Sequence, residues 1–311
     1  MKLRLARALH LATVATTAMS LMYVPPATSA VDNGGKLTVR QRLLDDGPLV
    51  IAHRGCWRQP AENSIEGLRK CAEIGVDFVE IDLRETADGV VVLLHDDTLD
   101  RTTTMRGRLR DHSYAHVRNA RLRQHQGGPA SPPTDQVLPT LEDVFRARLD
   151  TFIFLDIKEP IHERVYQLVQ KYNAQDRVLV SLNRQFADQL LQSSFARMVA
   201  VMPKLDQYEN ETCASNADPV TSVARYASLK TNIYEAVFCD DDYLAHAVSA
   251  TRGSKLWVNT LGPRFVAGRT EEEALRAPDK IWGELLNRGV GAIQTDHPLE
   301  LLRYLKKSGH R

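Results

Sequence analysis

Two histidines, one arginine, one lysine and several carboxylates stand in short clusters along the chain. They are His53-Arg54-Gly55, Glu80-Ile81-Asp82, His95-Asp96-Asp97 and Asp156-Ile157-Lys158, and each closes an apolar run. An i,i+2 spacing puts Glu80 and Asp82 on one face of an extended strand, and does the same for Asp156 and Lys158. Converging carboxylates without nearby Cys or paired His ligands form an oxygen-donor set, which suits Mg²⁺ or Ca²⁺ better than Zn²⁺. Arg54 offers a fork and Lys158 a point charge to a phosphate. Two histidines titrating near neutrality can act as acid and base on opposite sides of a scissile P–O bond. A divalent ion holding the phosphate oxygens neutralises charge that grows in the transition state. Together these residues point to cleavage of a phosphodiester.

Such residues act jointly only if the fold brings them to one place. Nine β-branched or apolar runs recur at 49–53, 78–83, 90–94, 152–158, 178–182, 199–202, 236–239, 256–259 and 292–295. Most are followed by polar residues and a helical pattern, as over Ser64–Ile74 and Ile161–Tyr172. The second and third runs are separated only by Arg84-Glu85-Thr86-Ala87-Asp88-Gly89. That is too short for a parallel crossover, so the pair is an antiparallel hairpin turning at Asp88-Gly89. Eight strands remain. Alternating with helices, they predict an α/β fold, a (β/α)₈ barrel with a β-hairpin and a small insertion after the second strand. No Gly-rich dinucleotide fingerprint supports the rival open sheet. The insertion, about 98–140, is rich in Arg, His, Gly and Pro and reads as mostly irregular. In a barrel of this kind the chemistry belongs at the carboxyl ends of the strands, where all four clusters fall.

The whole chain has 311 residues, with 40 Lys and Arg against 39 Asp and Glu. This balance argues against a nucleic-acid partner, which calls for a basic excess. Hydrophobic residues at 43% and charged residues at 25% exclude a disordered tail, a coiled coil or a multi-span membrane protein. Residues 1–30 carry Lys2, Arg4 and Arg7, then an apolar stretch, then Pro25-Pro26 and Ala27-Thr28-Ser29-Ala30. They read as a secretory signal, leaving a 31–311 catalytic domain that is secreted or periplasmic. Without the three basic residues the balance becomes 37 against 39, a net charge of −2. No lipobox-like Cys follows the apolar stretch, so no stable membrane anchor is expected. Cys56, Cys71, Cys213 and Cys239 suit an oxidising compartment. Of three possible pairings, Cys56–Cys71 with Cys213–Cys239 closes the shortest loops. His112, His116 and His125 are expected to be solvated. Asp240-Asp241-Asp242 suits a helix N-terminus.

At these residues the chain resembles the glycerophosphodiester phosphodiesterase family. The resemblance is carried by Ala52-His53-Arg54-Gly55, Ala61-Glu62-Asn63-Ser64, Val79-Glu80-Ile81-Asp82-Leu83, Thr86-Ala87-Asp88-Gly89 and His95-Asp96. Looser matches continue at Leu155-Asp156-Ile157-Lys158, Trp257-Val258-Asn259 and Ile293-Gln294-Thr295-Asp296-His297-Pro298. The resemblance implies Glu80 and Asp82 as ligands of a divalent metal and His53 and His95 as the acid–base pair. It implies Arg54 and Lys158 as phosphate contacts, Glu62 as a residue orienting Arg54 or a ligand, and Trp257 as a substrate contact. Asp156 stands where many family members carry Glu as third metal ligand. Its Asp-x-Lys setting is similar to that of sphingomyelinase D-type phospholipases. The activity implied is metal-dependent hydrolysis of glycerophosphodiesters to sn-glycerol 3-phosphate and an alcohol, with His95, or else His53, protonating the leaving oxygen while the other activates water or a substrate hydroxyl. The alternatives are a phospholipase D-like reaction on a lysolipid substrate and a non-catalytic periplasmic binding protein.

Overall fold

Period-two alternation along each strand divides the fold into an inner and an outer layer. The computed structural model describes residues 37–58, 60–182 and 187–311, so the expected signal at 1–30 lies outside the described residues. In chain order the strands are β1 Leu49–Ala52, β2 Phe78–Glu85, β3 Val91–Leu93, β4 Arg121–Arg123, β5 Pro133–Val137 and β6 Phe152–Ile157. They continue as β7 Val178–Leu182, β8 Ala200–Asp206, β9 Tyr208–Glu209, β10 Thr212–Cys213, β11 Ile233–Val237, β12 Lys255–Asn259 and β13 Ala292–Thr295. Eight of them pair in parallel in the order β1-β2-β6-β7-β8-β11-β12-β13, and β13 returns to β1 to close the barrel. The arm β3 runs antiparallel to β2, with Leu83 opposite Leu93 and Glu85 opposite Val91. Gly89, at φ +83°, makes its turn.

The inward residues change character from one end of the barrel to the other. Leu49, Ile51, Phe78, Phe152, Phe154, Leu179, Ala200, Met202, Ile233, Trp257 and Ala292 form one buried apolar cluster. Val39 and Leu43 join it from the helix Val39–Leu44. Continuing in steps of two, the same faces become His53, Glu80 and Asp82, Asp156 and Lys158, Ser181, Lys204 and Asp206, Glu235, Asn259, and Gln294. The apolar layers fill the barrel from below, and the polar layer forms the floor and wall of the site. Outward residues such as Val50, Val79, Ile81, Leu155 and Val180 pack in a second large cluster with Leu68, Val165 and Leu301 of the surrounding helices.

Three sequence expectations are corrected. Strand β8 does not stop at Met202 but runs to Asp206. Pro203 is tolerated because pairing with β7 ends at Leu182 opposite Pro203, and pairing with β11 begins at Lys204 opposite Glu235. The missing N–H therefore falls at the end of a ladder. Strand β11 begins at Ile233 rather than Ala236. The insertion is also less irregular than its composition implies. It contains the antiparallel pair β4 and β5, the short helix Tyr114–Val117, and its own core of Leu99, Leu109, Val117, Ala120, Leu122 and Leu138. The disulfides are Cys56–Cys71 and Cys213–Cys239. Asp240 caps the helix Asp241–Ala250 by accepting from the Tyr243 amide. Among the described residues no helix is long and apolar enough to cross a membrane.

Candidate active site

A cavity of about 490 Å³ opens at the carboxyl ends of the barrel strands. His53, Arg54, Glu80, Asp82, His95, Asp156 and Lys158 all line it. Seven of the nine residues singled out from sequence therefore meet in one place. Glu62 lies behind the wall, buried against Arg54. Trp257 lies below the floor, fully buried, with its ring 4.8 Å from Phe154 and 6.2 Å from Phe78. Its indole N–H donates to Asn259 Oδ1 at 2.9 Å, so its link to the cavity runs through Asn259.

The three carboxylates are drawn together by strand register. Asp82 stands opposite Asp156 across the β2–β6 ladder, with Glu80 two residues back. One oxygen from each lies within 4.8 Å of the others. Glu80 and Asp82 are buried, at 2% and 1% exposed. Burial, and then the Asp82 charge beside it, push the Glu80 carboxyl well above the usual range. Burial opposes the Asp82 charge too, yet Lys158 and Arg54 outweigh it and hold that carboxyl far below the usual range. Asp82 Oδ1 is buried, with Lys158 Nζ 2.9 Å away as its ion-pair partner. Lys158 Nζ also contacts Asp156 Oδ2 at 2.5 Å, and Ser181 Oγ donates to Asp156 Oδ1 at 3.1 Å. An all-oxygen donor set of three carboxylates, two of them buried and mutually repelling, fits a hard divalent cation.

The loop after β1 is shaped to reach this cluster. Arg54 has φ +49° and Gly55 φ +79°. At that φ, with a Cβ 3.3 Å from Leu68 Cδ2, a side chain in place of Gly55 would be strained. The turn aims the Arg54 amide at Glu80 Oε2, 2.6 Å away. Asn63, at φ +53°, donates through Nδ2 to Asp82 Oδ2 at 2.7 Å and accepts from the Asp82 amide at 3.1 Å. Ser64 caps the following helix Ile65–Ile74, and Cys71 of that helix is bonded to Cys56 of the loop.

Each histidine is held through Nδ1 by a carboxylate. His53 Nδ1 lies 2.8 Å from Asp296 Oδ1, which also accepts from Trp57 Nε1 at 2.7 Å. Beneath it, Glu271 accepts from the Asp296 amide at 2.8 Å and from Thr295 Oγ1. Burial, with Asp296 nearby, pushes Glu271 up to about 7. His95 Nδ1 lies 2.8 Å from Asp96 Oδ1. Burial lowers the His95 imidazole, with Asp82 partly restoring it. A carboxylate on Nδ1 keeps the proton there and leaves Nε2 as the working nitrogen.

Arg101, from the insertion, ties the two halves together, and sequence reasoning missed it among many arginines. Its Nη2 and Nη1 bond Glu62 at 2.8 and 2.9 Å, and its Nε and Nη2 bond Asp96 at 2.7 and 2.8 Å. Glu62 in turn contacts Arg54 Nη1 at 3.2 Å. One guanidinium thus orients both the carboxylate behind His95 and the one behind Arg54. Arg101→Met is expected to lower kcat about 10- to 100-fold, the usual cost of losing a partner that orients working residues. Arg101→Lys keeps the charge without the fork and should recover only part of the loss in steady-state assays.

The profile of the glycerophosphoryl diester phosphodiesterase family matches residues 53–300. A glycerophosphodiester phosphodiesterase of Caldanaerobacter subterraneus is 31% identical over 141 residues, 43% of this chain and 57% of that protein. The chain spans about half the length of the first curated relatives it matches. A glycerophosphoryl diester phosphodiesterase of Parabacteroides distasonis has a similar fold, with a TM-score of 0.67 and 24% identity over 85% of this chain and 88% of that one. A phosphodiesterase of Oleispira antarctica, solved with the product sn-glycerol-3-phosphate, has a TM-score of 0.60 and 21% identity over 84% of this chain and 97% of that one. From His53 at the tip of the first barrel strand to the last helix the profile is continuous, and the chain belongs to the glycerophosphoryl diester phosphodiesterase family.

Proposed function

We propose that this protein hydrolyses glycerophosphodiesters to sn-glycerol 3-phosphate and an alcohol. One observation carries the reading: a three-carboxylate cluster shares a cavity with two histidines, each braced through Nδ1 by a carboxylate. Family membership and the product held by the Oleispira antarctica relative support it. Glu80, Asp82 and Asp156 would hold a divalent cation, Mg²⁺ or Ca²⁺, which when bound supplies positive charge to a phosphate oxygen. Arg54 and Lys158, which line the cavity and flank Asp82, would contact the phosphate. His53 Nε2 takes the proton of a water whose oxygen forms the new bond to phosphorus. The bond from phosphorus to the alcohol oxygen breaks, and His95, entering the step as the imidazolium with Asp96 on Nδ1, gives that oxygen the proton from Nε2 and is left neutral. The exposures suit these roles: the His53 side chain is 14% exposed, whereas His95 is 36% exposed, nearer the solvent into which the alcohol departs. The two disulfides support maturation in an oxidising compartment, in keeping with export.

Phosphorus NMR of products from glycerophosphocholine and lysophosphatidylcholine, with and without chelator, tests the reading. The expected product is the glycerol 3-phosphate monoester from glycerophosphocholine, formed only with a divalent cation. Turnover of lysophosphatidylcholine alone, or a cyclic phosphate end product, would favour the phospholipase D-like reaction. No turnover of either with any of Mg²⁺, Ca²⁺, Mn²⁺ or Co²⁺ would contradict an enzymatic role.

A further inference from the structure

Behind His53 lies a buried carboxylate to which the reaction as described gives no part. Glu271 opens the helix Glu271–Arg276, is 6% exposed, and stands behind the wall of the cavity. Its Oε1 accepts from the Asp296 amide at 2.8 Å, from Thr295 Oγ1, and from Thr260 Oγ1 at 3.4 Å. Thr295 Oγ1 itself accepts from the His297 amide at 3.0 Å, which leaves its hydroxyl proton for Glu271. Thr260 follows β12 and Thr295 ends β13. The carboxylate therefore joins two strand ends directly beneath the residue that braces His53.

Among the described residues no lysine, arginine or histidine pairs with Glu271, and its three donors are all neutral. A buried charge without a cation is costly, and a glutamine could accept the same amide bond at lower cost. What the carboxylate adds is negative charge behind the Asp296–His53 pair. When His53 Nε2 takes the proton of the attacking water, the ring becomes an imidazolium whose Nδ1–H stays on Asp296. Negative charge beneath that pair favours the imidazolium. The titratable and charged groups gathered here are Asp296, His53, Arg58 and His297, with Glu272 beside Glu271 on its helix. Burial opposes the Asp296 charge, but His53 and Trp57 outweigh it and hold that carboxyl below the usual range. Asp296 thus ionises first, and Glu271, pushed up to about 7, gains its charge as pH rises through neutrality.

We infer that Glu271 is a positioning residue that acts through Asp296, fixing its backbone and stabilising the His53 imidazolium formed when water attacks. The inference rests on the phosphodiesterase reading and deepens it. The two ends of the site then differ in the way their roles require. Behind His95, Arg101 offsets the charge of Asp96 at 2.7 Å. Behind His53, Glu271 reinforces the charge of Asp296. An imidazolium is favoured at the histidine that gains a proton, and less so at the one that gives a proton up.

Two measurements on the native protein and Glu271→Gln test it: rates on glycerophosphocholine at saturating Ca²⁺ or Mg²⁺, and ¹³C NMR of the His53 ring in the Ca²⁺-loaded protein. Between about pH 5.5 and about pH 8.5 the ratio of native to variant kcat should grow about three- to tenfold, with KM within about twofold. Glu271 ionises across that range and glutamine cannot. The His53 ring signals should show an inflection near pH 7 in the native protein that is missing in the variant. Thermal melts report whether the variant is folded. A ratio that stays flat with pH in a folded variant would overturn the inference, since a merely structural defect costs the same at every pH. His53 signals that titrate alike in the two proteins would overturn it as well. A native protein without turnover whose His53 signals still show the inflection would contradict the phosphodiesterase reading while upholding the link between Glu271 and His53.

Discussion

Glu80→Gln is expected to lower kcat/KM on glycerophosphocholine by about a thousandfold, the effect of losing several kcal/mol of transition-state charge stabilisation. The same change should raise the melting temperature of the ion-free protein. Glu80 is buried beside Asp82, and burial and that neighbour raise its carboxyl well above the usual range. A carboxyl raised on folding contributes stability below its ordinary pKa and loses it as pH rises through the folded value. The ion-free native protein should therefore lose stability from mildly acidic to neutral pH, and the Gln variant should lose less. Glutamine keeps the shape and can still accept from the Arg54 amide. A divalent ion at a hundredfold excess over its Kd should stabilise the native protein by about 2.7 kcal/mol. That corresponds to a rise of about 5 °C for a domain of this size. The variant should show little of that rise. Melting curves with and without EDTA over this pH range, beside initial rates, check both halves. A variant that is inactive yet still gains full thermal stability from the cation would mean that Glu80 serves something other than the ion.

His95→Gln should separate the two histidines by leaving group. If His95 protonates the departing alcohol, its loss costs about 10²- to 10⁴-fold on glycerophosphocholine, whose choline oxygen leaves poorly without a proton. On the p-nitrophenyl ester of glycerol 3-phosphate, whose phenolate leaves unaided, the loss should be below about tenfold. His53→Gln should be damaged on both substrates, since water must be activated in either case. Paired rate measurements on the two esters decide this. Equal losses for His95→Gln on both would remove it from the donor's role, and the opposite pattern in the two variants would exchange their assignments.

Much of the site could be read from the chain because each reacting cluster closes an apolar run. Glu80 with Asp82, and Asp156 with Lys158, announce a shared face through their spacing, and the short Arg84–Gly89 connection forces the hairpin that returns His95 to the rim. What stayed hidden has physical causes. Pro203 reads as a strand stop, so Lys204 and Asp206 fell outside β8; its place between two ladders is a property of the closed barrel, not of local sequence. Glu235 precedes the apolar run at 236–239 that marked this strand and so fell outside it. Once β8 and β11 have their true limits, alternate residues place both side chains in the cavity. Arg101 lies in a segment whose many arginines look alike, and only its bonds to Glu62 and Asp96 set it apart. Glu271 reaches Asp296 from 25 residues away in sequence, and no local pattern joins them. Trp257 illustrates the converse: its motif is conspicuous, yet the ring belongs to the barrel's apolar layer and acts on the cavity only through Asn259.

The central claim is that Glu80, Asp82 and Asp156 share one cation between His53 and His95. Anomalous diffraction from crystals grown with Mn²⁺ tests it most directly. The account predicts a single strong peak enclosed by oxygens of those three carboxylates, with Lys158 drawn off Asp82 and the peak absent in Glu80→Gln. A cavity without a peak at saturating Mn²⁺, or an ion bound elsewhere while the three carboxylates keep only Lys158 for company, would contradict it.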